Sequence, residues 1–231
     1  MATTVITTRW RAVRIGAALR HAAVLWAGLA GLLPAASAQQ VPGYPASVTA
    51  YDRREVAMLP KYCAHTQLFR DHVPGGNDGE QIRAYTALFG PVFNDLHHYC
   101  YGLMKVNRAI LLSRDPTTRR FYLNDAVGEY DYVIQRAKPD FLLLPEILTK
   151  KGEALVHLGR GAIAVFEFER AIELKSDYWP PYARLADYHK DNGDLQKARE
   201  VLEAGLQAVP DTKALQRRLS ELDAASAGRK W

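Results

Sequence analysis

The 231-residue chain lacks the motifs that mark the common enzyme classes. It contains no Gly-x-Ser-x-Gly nucleophile elbow, no His-Glu-x-x-His metal motif and no glycine-rich phosphate-binding loop. Serine is also scarce after the first part of the chain. Two neighbouring carboxylates, Glu129 and Asp131, are two residues apart and so would not face each other on a helix. The sequence therefore predicts a protein that is not an enzyme and needs no cofactor.

Acidic residues are absent from the first 38 residues, where four arginines precede an apolar core at residues 22–33. This core is followed by Pro34 and by Ala36, Ser37 and Ala38, a small-residue cleavage pattern. The apolar run is shorter than the roughly 20 residues that cross a membrane. We interpret residues 1–38 as a secretory signal peptide that is cleaved after Ala38. The mature protein is expected to be soluble and either periplasmic or secreted.

The mature chain has little net charge. The full chain is formally +5, but cleavage removes four of its 30 basic residues and none of its 25 acidic ones, which leaves +1. The remaining basic clusters, residues 114–120 and Lys150 with Lys151, are short and have no interleaved aromatic residues. This pattern disfavours a nucleic-acid partner.

Residues 145–212 contain one helical hairpin pattern twice, at a spacing of 34 residues. Ala164 and Ala198 are small residues where two helices of a hairpin would cross closely. Gly159 and Gly193 mark helix ends, because glycine readily adopts the left-handed conformation there. Pro210 stops the second copy. The paired positions are Gly152, Leu155, Gly159, Ala164, Phe168, Ala171 and Ser176 in the first copy, and Ala186, His189, Gly193, Ala198, Leu202, Gly205 and Pro210 in the second.

This spacing and residue pattern resembles the tetratricopeptide repeat family. The resemblance implies an all-α fold of stacked antiparallel hairpins with about three hairpins and a capping helix. We expect two repeats at residues 145–178 and 179–212, then a capping helix and tail at 213–231. A degenerate hairpin is expected at 92–140, with helices at 93–113 and 122–137. Residues 39–91 would form an N-terminal extension, with a helix from Pro60 towards Phe69, a loop at 72–79 and a helix at 80–89.

The resemblance also implies a concave surface lined by the first helix of each hairpin. The side chains expected to contact a partner there are Lys150, Glu153, His157, Arg184, Asp187 and Lys190. Lys150 and Arg184 are equivalent in the two copies and could pair with an acidic group, or they could be ordinary solvated charges. The family's clamp for a terminal carboxylate uses paired asparagines, which are missing from these positions, so that specific function is not implied.

The only two cysteines, Cys63 and Cys100, admit two interpretations. An even number of cysteines in an exported protein favours a disulfide. Alternatively, His97, Cys100 and Met104 share one helix face and, together with Cys63 and His65, could form a soft-metal site. The disulfide is the favoured interpretation.

The sequence thus predicts an exported adaptor or assembly factor of the bacterial envelope that binds a protein or peptide. A soft-metal or redox protein is the first alternative. A structural subunit that associates with itself through its repeats is the second. The sequence does not identify the partner.

Overall fold

The computed structural model describes residues 52–227, and the elements within this range are helical. The predicted signal peptide and its cleavage site lie outside the described residues. No helix within 52–227 combines the length and the apolar character needed to cross a membrane.

The described chain begins with short helices. Helix α1 spans Arg53–Ala57 and begins with a capping box between Asp52 and Glu55, in which the Glu55 carboxylate accepts a hydrogen bond from the amide of Asp52 at 3.4 Å. The Asp52 carboxylate also accepts a hydrogen bond from the amide of Arg54. A 3-10 helix spans Lys61–His65, and helix α2 spans Gly79–Phe89. The predicted α2 is confirmed. The predicted helix from Pro60 towards Phe69 is wrong, because the 3-10 helix ends at His65 and Thr66 is extended, with its hydroxyl donating to the carbonyl oxygen of Cys63.

The next two helices form an antiparallel hairpin. A 3-10 turn at Gly90–Asn94 leads into α3, Leu96–Asn107, which continues as one π turn at Arg108–Leu112. Helix α4 spans Pro116–Ile134 and starts earlier than the predicted residue 122. The early start follows from two local signals, Pro116 at the first helical position and the Asp115 carboxylate, which accepts a hydrogen bond from the amide of Thr118 at 2.7 Å. Most of the stretch between the two predicted helices, residues 114–121, is therefore helical.

Five more helices complete the stack: α5 Leu144–His157, α6 Gly161–Leu174, α7 Pro180–Asp191, α8 Leu195–Ala208 and α9 Lys213–Ala227. Each packs against the next, and α5 also contacts α7. Gly159 and Gly193 have left-handed backbones with φ of 73° and 82°, as predicted for helix ends. Ala164, Ala171 and Ala198 are buried where the helices cross. Helix α8 ends two residues before Pro210.

Glycines permit the closest helix approaches. A Cβ atom on Gly152 of α5 would lie 2.4 Å from Cε1 of Phe168 on α6. A Cβ atom on Gly102 of α3 would lie 2.3 Å from Cε1 of Tyr130 on α4. In both hairpins, the first helix therefore uses a glycine to accept an aromatic ring from the second helix.

Lys151 links three successive helices. Its ammonium group, on α5, lies 2.7 Å from Asp131 of α4 and 2.6 Å from Glu167 of α6. Burial alone would lower the pKa of Lys151, but hydrogen bonds to Asp131 and Glu167 raise it above its ordinary value. The lysine is therefore held in its charged form at the junction of two hairpins.

Two long-range contacts attach the N-terminal helices to α3 and its π turn. Cys63 and Cys100 form a disulfide with an S–S distance of 2.00 Å, which confirms the predicted bond. Arg108 of the π turn forms a buried ion pair with Glu55 of α1, at 2.5 Å from Nε to Oε1 and 2.9 Å from Nη2 to Oε2. This ion pair was not predicted from the sequence.

Candidate functional site

A groove with a volume of about 620 Å³ lies along the ends of the first helices of the hairpins. Its walls come mainly from the carboxyl-terminal halves of α5 and α7. One apolar side chain, Ile110, reaches it from the π turn after α3, and Gly161 contributes from the start of α6. Three successive hairpins therefore contribute to one concavity. The lining residues are Ile110, Glu153, Val156, His157, Gly159, Gly161, Phe168, Arg184, Asp187, Tyr188, Asp191 and Asn192.

The structure brings together four of the predicted partner-contacting residues. Glu153 and His157 on α5, and Arg184 and Asp187 on α7, line the groove. Lys150 and Lys190 belong to the same two helices but do not line it.

The charged side chains of the groove are bonded to one another. Glu153 accepts from Lys150 at 3.0 Å and from Nε of Arg184 at 2.6 Å. Arg184 also lies 3.6 Å from Asp187, which in turn accepts two hydrogen bonds of 3.0 Å from Arg218 of α9. Lys150 and Arg184, the two candidates for pairing with an acidic group of a partner, thus each have an acidic neighbour in the chain itself.

Apolar side chains are exposed in the same groove. Ile110 is 42% exposed and Val156 is 37% exposed, whereas Phe168 is buried below them. Tyr188 lies against the start of α6, where a Cβ atom on Gly161 would be 2.2 Å from the tyrosine hydroxyl. Glycine at position 161 therefore lets Tyr188 form part of the groove wall.

Sequence reasoning missed Ile110, Val156 and Tyr188. A signal for Val156 was present, because it follows Glu153 by three residues and so shares its helix face. Ile110 had no such local signal, since it reaches the groove only through the stacking of one hairpin on the next.

The soft-metal alternative is not supported by this arrangement. Both cysteine sulfurs are used in the disulfide and are fully buried. Nδ1 of His97 hydrogen-bonds with the carbonyl oxygen of Asn94 at 2.9 Å, and burial lowers the pKa of His97. Nδ1 of His65 hydrogen-bonds with the carbonyl oxygen of Gly76, and Met104 is buried in the apolar cluster around Cys63 and Phe69. Within residues 52–227, no three His, Cys, Asp or Glu side chains are grouped so as to hold a metal ion.

Stacked antiparallel hairpins with a groove along their first helices define a helical repeat protein. Residues 179–222, which cover α7, α8 and much of α9, match the family model of the tetratricopeptide repeat. The match confirms the predicted resemblance to the tetratricopeptide repeat over these residues. No curated protein matches the chain. Repeats of this kind present concave surfaces to other proteins and are typically not enzymes, so the match supports a protein–protein interaction module.

Proposed function

We propose that this protein is an exported adaptor that holds a segment of another protein in the groove between α5 and α7. The main support for this proposal is the groove, which is lined by exposed apolar side chains and by charged side chains that are bonded to one another. Each Å² of apolar surface on Ile110 and Val156 that a partner covers contributes about 25 cal/mol to binding, before the entropy cost of association is subtracted.

The charges around the groove favour specificity more than affinity. Ion pairs between exposed side chains contribute only about 0–1 kcal/mol each. The bonds among Glu153, Arg184 and Asp187 nevertheless hold these groups in fixed positions before a partner arrives. A partner segment would therefore meet a surface that is already ordered, which lowers the entropy cost of binding.

The proposed export is supported by the signal-peptide features of residues 1–38 and by the disulfide. Disulfides persist mainly in oxidising compartments such as the bacterial periplasm. An adaptor in that compartment would find its partner among envelope or secreted proteins.

Replacing Val156 with aspartate is expected to abolish partner capture. The substitution places a charge among the apolar side chains of the groove, where a bound segment would have to bury it. The measurement is affinity capture from an envelope extract by the mature protein, followed by mass spectrometry. Ile163→Asp is the matched control, because Ile163 is also an exposed aliphatic residue, lies on α6 and does not line the groove.

Wild type and Ile163→Asp should enrich the same protein, and Val156→Asp should not. Equal enrichment by Val156→Asp would place the interaction outside the groove. Capture of a second copy of this chain would contradict the adaptor function and support the alternative of a self-associating subunit.

The mature protein is expected to begin at Gln39. Cells that produce the full chain should release it into the periplasmic or culture fraction without detergent, and intact-mass measurement gives its N-terminus. Recovery of a chain that still begins at Met1 and stays in the membrane fraction would contradict the proposed export.

A further inference from the structure

A second, smaller concavity adjoins the groove at the point where α5 ends and α4 begins. This notch has a volume of about 170 Å³. His157 lines both the notch and the groove, so the two concavities meet at this side chain. The residues lining the notch are Pro116, Arg119, Arg120, Leu123, His157 and Leu158.

The notch has positive charge and, among the described residues, no acidic lining. Nη2 of Arg119 donates to the carbonyl oxygen of Ser113 at 3.3 Å, which is an uncharged acceptor. Arg120 is exposed and forms no ion pair with any residue that the structure describes.

The nearest acidic residue in the sequence, Asp115, forms no ion pair with either arginine among the residues that the structure describes. The carboxylate of Asp115 accepts the amide hydrogen of Thr118 at the start of α4. Hydrogen bonds from Thr118 also lower the pKa of Asp115. This carboxylate therefore caps its own helix.

The lining of the groove, in contrast, has more acidic than basic side chains. Glu153, Asp187 and Asp191 are acidic, and Arg184 is the basic residue among them. Lys150 and Arg184 already have Glu153 as a neighbour, whereas the arginines of the notch have no acidic neighbour of this kind. An acidic group of a partner is therefore more favourably bound by the arginines of the notch than by Lys150 or Arg184, which already have an acidic neighbour.

We infer that the notch of Arg119, Arg120 and His157 binds an aspartate or glutamate side chain of the segment that occupies the groove. The inference rests on the proposed function and specifies the partner segment, which carries an acidic residue next to an apolar one. Guanidinium groups suit this role because they offer paired N–H donors that match the two oxygens of a carboxylate. Leu123 and Leu158 form the apolar part of the notch lining, against which the methylene groups of such a side chain can pack.

The test starts from a displayed library of random dodecapeptides selected on the mature, disulfide-bonded protein. Selected peptides are expected to share an acidic residue at a fixed spacing from an apolar one. Affinities are then measured by fluorescence anisotropy for one such peptide and for its counterpart with the acidic residue replaced by the amide. The amide peptide should bind wild type about tenfold or more weakly, because a hydrogen-bonded ion pair is lost.

Arg119→Ser combined with Arg120→Ser should weaken binding of the acidic peptide to the level of the amide peptide. The same double variant should bind the two peptides equally, which shows that the arginines act on that one carboxylate. Arg114→Ser is the matched control, since Arg114 is an exposed arginine just before α4 that does not line the notch. It should retain wild-type affinity and the tenfold preference for the acidic peptide.

Two results would overturn the inference while leaving the proposed function intact. One is a set of selected peptides that bind through the groove, as shown by loss of binding in Val156→Asp, but have no acidic preference. The other is a double arginine variant that still prefers the acidic peptide. A library that yields no binder to wild type would instead contradict the proposed function, and the inference with it.

Discussion

Replacing Glu55 with alanine is expected to destabilise the fold by about 3–5 kcal/mol. Glu55 and Arg108 are each only 1% exposed, and they face each other through two hydrogen bonds. Burial alone would lower the pKa of Arg108, but Glu55 raises it, so the guanidinium stays charged inside the protein. Without the carboxylate, α1 would cover a buried positive charge that has lost its counter-ion.

Chemical denaturation of the mature protein measures this effect. Glu173→Ala is the matched control, because Glu173 is an exposed glutamate on α6 with no ion pair among the described residues, and its free energy of unfolding should stay within about 0.5 kcal/mol of wild type. Adding Arg108→Met to the Glu55→Ala variant should recover part of the loss, since the buried charge that has lost its carboxylate is then removed. A Glu55→Ala variant as stable as Glu173→Ala would show that the pair is solvated.

Removing the disulfide is the second change with a large expected effect. Cys63 and Cys100 are separated by 37 positions, and the chain-entropy model values a loop of this size at roughly 4 kcal/mol. This is a large share of the usual net stability of about 5–15 kcal/mol. The double variant Cys63→Ser and Cys100→Ser should therefore unfold at clearly lower denaturant concentration than wild type.

Thiol titration and reduction complete this test. Wild-type protein purified without reductant should show no reactive thiol when unfolded, and reduction should lower its melting temperature to that of the double serine variant. Chelators should not change the melting temperature of wild type or of the double serine variant. Two titratable thiols in unreduced protein would contradict the disulfide.

The two contacts should also be coupled. Both fasten the segment from α1 to the 3-10 helix onto α3 and its π turn, so loss of either one loosens the attachment that the other needs. The combined loss of Glu55 and the disulfide is therefore expected to cost less than the sum of the separate losses.

The repeat region could be predicted from the sequence because its determinants are local. Ala164, Gly193 and their counterparts recur within one 34-residue period, and each acts on a helix crossing or a helix end inside its own hairpin. The start of α4 is equally local, because it is set by the cap at Asp115 and by Pro116 at the first helical position.

The N-terminal extension was less predictable for a physical reason. Helix α1 has only five residues, too few to be stable alone. Its capping box is a local signal, but its buried ion pair is with Arg108, 53 positions away from Glu55, and this contact could not be read from the local sequence. The candidate site likewise combines residues that could be predicted from the sequence with residues that could not. Glu153 and Arg184 followed from the repeat pattern, whereas the contribution of Ile110 depends on how successive hairpins stack.

The central claim, that the groove is occupied by a partner protein, is tested most directly by site-specific photocrosslinking in cells that produce the protein. A photoreactive amino acid is placed at position 156 in the groove or, in a separate strain, at position 163 on α6. We expect a discrete crosslinked adduct from position 156 that is absent from position 163. No adduct from position 156, or the same adduct from both positions, would contradict the claim.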